Sequence, residues 1–122
     1  MQRHSKQRDA VYQAVCSVRS HPTALQVYDI VRSNLPNISL ATVYRNLKGL
    51  AEDGKVITVF SNDSVEHYDA VTYAHHHLCC TKCNKIYDVQ SSIDIELDSI
   101  DSEHKIAGVR VMFTGVCENC IN

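Results

Sequence analysis

Apolar residues recur every three or four positions through the first half of the chain, and the period then shortens to two. From Ser5 to about Arg19, the positions Ala10, Val11, Ala14, Val15 and Val18 form the stripe of an amphipathic helix, with Cys16 among them as an expected core residue. His21-Pro22-Thr23 interrupts it, and Thr23 is placed to cap a second helix. That helix carries Leu25, Val27, Tyr28, Ile30, Val31 and Leu35 and ends near Asn34-Leu35-Pro36. Ser39 caps a third helix, from Leu40 to about Glu52, with Leu40, Val43, Tyr44, Leu47 and Leu50 inward and Gly54 as its stop. Lys55 to Phe60 and Val65 to Asp69, around a turn at Ser61-Asn62-Asp63-Ser64, read as a β-hairpin. Beyond residues 70–73 come a His/Cys strand, a strand from Lys85 to Val89, and a helix from about Ser92 to Glu103 with Ile93, Leu97 and Ile100 on one face. A last strand is expected from Ile106 to Val116.

Three helices and a hairpin in about 70 residues is the winged helix-turn-helix plan, whose third helix enters the DNA major groove. Its polar face offers Ser39, Thr42, Arg45, Asn46 and Lys48, with Tyr44 open between core and DNA backbone. Arg can read guanine with two prongs and Asn can read adenine, while Lys and hydroxyls anchor phosphates. Arg3, Lys6 and Arg8 add candidate phosphate contacts. A helical bundle with a merely solvated polar face is the competing reading of the same residues. The expected fold class is α+β: a winged-helix DNA-binding domain over 1–69, a hinge at 70–73, and a small α/β dimerisation and metal-binding domain over 74–122. A small open sheet with one helix leaves edges and an apolar face uncovered, which favours pairing with a second copy.

Charge changes the picture. The net charge of −2 is unevenly spread: residues 1–55 hold eight Lys/Arg against four Asp/Glu, and residues 56–122 hold four against ten. A basic front half joined to an acidic back half fits a DNA-binding module attached to one with another task. At 122 residues and 44% hydrophobic content, without a long apolar run, signal-peptide core or lipidation motif, the chain is expected in the cytoplasm.

Six cysteines in a reducing compartment read as metal ligands rather than a disulfide framework. Cys80-x-x-Cys83 and Cys117-x-x-Cys120 are two tight turns that together supply the four thiolates of a structural zinc site. Asn84 suits a left-handed turn position after the first pair. Cys79 alternates away from Cys80 and has no assigned role. On an extended segment His75 and His77 share a face and His76 points away, so two imidazoles stand beside a metal-braced turn. Such a pair can build a second metal site or be solvated polarity alone.

The ordered set His21-Pro22-Thr23-Ala24, Ser39 to Leu47, Tyr68-Asp69, His75-x-His77-x-x-Cys80-x-x-Cys83, Ile86-Tyr87-Asp88 and Cys117-x-x-Cys120 resembles the ferric-uptake-regulator family of metal-dependent bacterial repressors. The resemblance implies a homodimer on a palindromic double-stranded operator, a structural Zn(II) on Cys80, Cys83, Cys117 and Cys120, and a regulatory site at the hinge. The regulatory ligands of the family's peroxide-sensing branch fall on His21, Asp69, His75, His77 and Asp88, with Fe(II) or Mn(II) as the metal. In that branch His21 and His75 correspond to the histidines that peroxide oxidises through Fe(II). An iron- or zinc-responsive member of the family is the alternative, since the iron branch usually carries Glu at the positions of Asp69 and Asp88, and the zinc branch usually adds a Cys. Against the family pattern, the leading helix is missing, Asn84 stands for Gly, and His76 replaces an acidic or aromatic residue. His76, Glu96 and His104 are candidates for a further metal site. A metallohydrolase is the rival of another class, but five protein ligands leave little room for water and substrate, and no general base presents itself. A zinc-binding interaction module that never touches DNA is a third reading.

Overall fold

The computed structural model describes residues 5–18, 21–72, 75–90, 93 and 95–121. Three helices form first: α1 (Lys6–Ser17), α2 (Ala24–Val31) and α3 (Leu40–Glu52). Each begins on a side-chain cap that satisfies an otherwise orphaned backbone N–H. Ser5 accepts from the Arg8 N–H, Ser39 accepts from the Thr42 N–H, and Thr23 with Gln26 closes a reciprocal capping box. After α3 the chain reverses at Gly54, whose φ of 74° is the left-handed conformation that glycine tolerates. Val11, Ala14 and Val15 of α1 meet Val27 and Val31 of α2 and Val43, Leu47 and Leu50 of α3 in one buried cluster, closed by Ile38, Val56 and Tyr68. An ion pair of 2.8 Å from Arg8 to Asp53 ties α1 to the end of α3, so Arg8 is engaged within the fold rather than presented as a free cation.

The hairpin follows as β1 (Ile57–Phe60) and β2 (Glu66–Asp69), antiparallel, with Val59 opposite His67. A second sheet holds β3 (His76–Cys80), β4 (Ile86–Val89) and β5 (Met112–Gly115) in the order β4-β3-β5. β4 is antiparallel to β3 and β5 is parallel to it. Asn84, at φ 61°, makes the left-handed turn into β4 as its sequence position implies. The hairpin does not stand apart from this sheet. Val59 is buried with Cys79 and Ile86, Ile57 and Met112 pack against them, and the Asn62 N–H donates to the Cys79 sulfur at 3.3 Å. Cys79 is thus the interior sulfur beneath the wing.

Several expectations give way. The helix over 92–103 is replaced, among the described residues, by a single 3-10 turn at Leu97–Ser99. Ser99 donates to the Glu96 carbonyl and Ser102 accepts from the His104 N–H, local bonds that compete with helical ones. The apolar face meant to support the helix stays in solvent, with Ile93 and Ile100 both exposed. The last strand runs only from Met112 because its register partners, His77 to Cys80, end there. α1 closes at Ser17, two residues early, and α2 closes at Val31 into a run of turns. Cys16 is exposed, one position beyond the buried Val15 stripe, and Tyr44 is half-exposed on the outer side of α3 rather than inward.

Candidate metal centres and recognition helix

Four sulfurs meet where the β3–β4 turn approaches the chain after β5. Cys80 ends β3, Cys83 lies in the turn, and Cys117 and Cys120 come from the C-terminal turn, bonded to each other by Cys120 N–H to Cys117 carbonyl. One sulfur from each lies within 4.8 Å of all the others. The Cys83 and Cys117 sulfurs are 3.8 Å apart. That is far from a disulfide and close to the edge of a tetrahedron with zinc–sulfur arms of about 2.3 Å, which is about 3.8 Å. Backbone N–H groups of Cys117, Cys83 and Lys82 point at the Cys80 sulfur from 3.4, 3.5 and 3.4 Å. Led by the Cys117 and Cys83 donors, they lower its thiol to about 6 against the opposing effect of burial. The Tyr87 hydroxyl lowers Cys117 in the same way, while hydrogen bonding to Cys117 pushes Cys120 up to about 12. Cys80 is thus prepared as a thiolate, Cys117 is shifted in the same direction, and Cys120 keeps a proton that a divalent cation would displace.

The second cluster draws on four parts of the chain. His21 sits between α1 and α2, Asp69 ends β2, His75 and His77 flank the start of β3, and Asp88 lies on β4 directly opposite His77. Strand alternation sends His75 and His77 to the same side, as their spacing predicts. Three imidazole Nε2 atoms crowd the same carboxylate oxygens. Asp69 Oδ2 is 3.0 Å from His21, 3.0 Å from His75 and 3.3 Å from His77. Asp88 Oδ1 is 2.8, 3.0 and 3.5 Å from the same three rings. The Val71 N–H holds the other Asp69 oxygen at 2.9 Å and so aims the carboxylate inward. His21, His77 and Asp69 are buried, and Asp88 leaves the cluster open on one side.

Burial alone would raise the Asp69 carboxyl, but hydrogen bonds from His21, His77 and the Val71 N–H outweigh it and hold Asp69 well below the usual carboxylate range. Burial would likewise lower His21, and the Asp69 and Asp88 carboxylates outweigh it and raise the imidazole. Five donor atoms converging on one point, three nitrogens and two anionic oxygens, fit a divalent cation better than they fit one another. The mixed N/O set without thiolate suits Fe(II) or Mn(II).

On α3, Ser39, Tyr44, Arg45 and Lys48 are exposed, and Thr42 and Asn46 are half-buried. The face is already internally ordered. Ser39 donates to the Thr42 hydroxyl at 2.9 Å, Arg45 donates to the same oxygen at 3.3 Å, and the Asn46 amide donates to the Thr42 carbonyl at 2.9 Å. Among the described residues only these two ligand clusters form. His76 packs on Phe113 while Glu96 and His104 are exposed, so the three candidates for a further metal site are not brought together. Arg3 lies outside the described residues. His67 escaped sequence reasoning, although its position two residues before Asp69, on the same side of β2, was the available signal. Its Nδ1 lies 2.6 Å from the His21 carbonyl.

A winged helix-turn-helix joined to a small sheet, with a four-sulfur cluster and a buried His/Asp cluster spanning the two, defines a metal-responsive DNA-binding regulator. The Ferric uptake regulator family model matches residues 2–113, and the chain belongs to that family. It is 33% identical over 124 residues to the peroxide-responsive repressor PerR of Staphylococcus epidermidis, covering 97% of this chain and 81% of that protein. The peroxide stress regulator of Campylobacter jejuni superposes with a TM-score of 0.71 at 26% identity, over 93% of this chain and 88% of that one. The Helicobacter pylori ferric uptake regulator, described as having three functional metal-binding sites, shares the fold with a TM-score of 0.78 at 21% identity, over 98% and 83%. No helix among the described residues is long and apolar enough to cross a membrane.

Proposed function

We propose that this chain is a homodimeric, metal-dependent repressor that releases its operator in response to peroxide. The observation that carries the reading is the convergence of His21, from between the DNA-binding helices, and Asp69, from the wing, on His75, His77 and Asp88 of the second sheet. In this reading residues 1–69 bind DNA, 70–73 are the hinge, and 74–122 dimerise. A cation bound by all five side chains fixes the angle between the two parts. Metal binding then favours one hinge state over the other, because the ion bonds the closed form better. Cys80, Cys83, Cys117 and Cys120 hold structural zinc, and the regulatory site takes Fe(II) or Mn(II). Ser39, Thr42, Tyr44, Arg45, Asn46 and Lys48 meet the DNA, in the cytoplasm.

Peroxide sensing is supported by the donor set, two Asp with three His and no thiolate, and by the likeness to peroxide-responsive relatives. Fe(II), when bound, supplies the electrons that reduce peroxide. The chain supplies the oxidisable groups beside it, the imidazoles of His21 and His75. An oxidised ring is a poorer donor, so the cluster opens and the hinge is freed. An iron- or zinc-responsive regulator is the nearest alternative. Titrating Fe(II), Mn(II) and Zn(II) against binding to a palindromic operator duplex, then adding peroxide, separates them. Operator binding that Fe(II) and Mn(II) both support, and that peroxide abolishes only with Fe(II), is the expected result. Equal insensitivity to peroxide with both metals would leave a metal-level sensor instead. Hydrolytic turnover by the metal-loaded protein would revive a metallohydrolase.

A further inference from the structure

We propose that His67 is a positioning residue for His21, and that it couples the wing to the regulatory cluster. The proposal rests on reading His21, Asp69, His75, His77 and Asp88 as the regulatory metal site.

His21 adopts φ 56°, a left-handed conformation that is uncommon outside glycine, though histidine takes it more readily than most residues. A ligating imidazole is ordinarily oriented by a hydrogen bond from its other ring nitrogen. That device is missing here: His21 Nδ1 is buried and has no hydrogen-bond partner among the described residues. With Nδ1 unpartnered, the aim of the ring rests on its backbone together with the contacts that Nε2 makes inside the cluster.

The backbone is held by β2. A carbonyl oxygen can only accept, so at 2.6 Å it is His67 Nδ1 that carries the hydrogen and donates to His21. One residue further on, the Tyr68 N–H donates to the Pro22 carbonyl at 2.9 Å. Thr23 forms an antiparallel bridge with His67 itself. Residues 21–23 are thus tied to the edge of the wing by two hydrogen bonds and a single bridge. The same strand then supplies Asp69, whose Oδ2 faces His21 Nε2 at 3.0 Å. One strand thus fixes the ligand Asp69 directly and the ligand His21 through His67. A shift of β2 disturbs two of five ligands together, and an ion that gathers both pins the wing to the start of α2. His67 also lies opposite Val59 of β1, which is buried against the second sheet, so the clamp sits where the wing meets both parts of the molecule.

The test is a set of zinc-loaded variants, H67F, H67N, H21A and H67F/H21A, with Mn(II) affinity measured by competition with a chelator. Phe keeps a ring but removes the donor, whereas Asn places an N–H near the position of Nδ1. H67F should weaken Mn(II) binding by about tenfold, the scale of a lost outer-shell contact. H67N should recover affinity to within about threefold of wild type. Zinc content and melting temperature should stay close to wild type in both. In the H21A background, H67F should cost nothing further. H21A weakened while H67F binds like wild type overturns the proposal alone, as does an H67N loss equal to that of H67F. H21A that binds Mn(II) like wild type overturns the reading of the site and the proposal with it. If H67F does not fold, H67A takes its place in the same cycle, with the same outcomes deciding.

Discussion

Cys80 and Asp69 occupy matching places in the two clusters. Each is buried, each accepts backbone N–H bonds, and each is held more acidic than its type by its neighbours. Cys80→Ser should release zinc and unfold the second sheet, because the binding energy of a structural zinc site, about 10 kcal/mol, is folding energy. Zinc content by native mass spectrometry, with far-ultraviolet circular dichroism, checks this; a folded Cys80→Ser protein that keeps zinc would remove the structural role. Asp69→Asn keeps the shape but removes the charge that faces all three imidazoles. It should weaken Mn(II) binding by about tenfold or more while leaving zinc in place, measurable by chelator competition. The thiolate pairs and the shared face of His75 and His77 were legible because their geometry is local, whereas His21, Asp69 and Asp88 joined the second cluster only through the resemblance to the family. Cys-x-x-Cys fixes a turn and His-x-His fixes a strand face. Tyr44 and Cys16 were misplaced because each lies one position from a buried stripe, where a rotation of about 100° decides between core and solvent.

At the scale of elements, α3 combines both demands on a recognition helix. Val43, Leu47 and Leu50 are buried on one side, and Arg45 and Lys48 are exposed on the other. Leu47→Ala should destabilise the helical domain by about 2–5 kcal/mol, read from denaturant unfolding. Arg45→Ala should leave stability unchanged and weaken operator binding by about 1–3 kcal/mol, with relaxed preference at one base pair if the guanidinium reads a guanine. A uniform loss across sequences with a shallower salt dependence would assign Arg45 to phosphate instead. The three helices were readable because each carries its own cap and an unbroken apolar stripe. The segment over 92–103 was not, because Ser, Asp and Glu fill the positions between its isoleucines. Such a sequence makes local side-chain bonds as readily as helical ones, and its apolar residues need a surface the single chain does not supply.

That missing surface belongs to the whole molecule. Ile95, Ile100 and Val109 are exposed, and β5 is an edge of its sheet. If a second copy covers them, Val109→Asp should shift the protein from dimer toward monomer in sedimentation, with zinc retained. The resemblance to the family brought five candidate ligands together, but not the strand that carries both Asp69 and the clamp on His21. That relation crosses 46 positions of chain and has no local signature. The wing, the start of α2 and the second sheet meet at one cluster, so in the proposed reading damage to a single ligand ring has a route to the DNA-binding domain. The most direct measurement is peptide mass spectrometry after Fe(II) loading and brief peroxide exposure, with an Mn(II)-loaded control. A gain of one oxygen on peptides containing His21 or His75, with Fe(II) and not with Mn(II), is the predicted result. Oxidised cysteines with loss of zinc and unaltered histidines would contradict it, and would move the sensing to the thiolates.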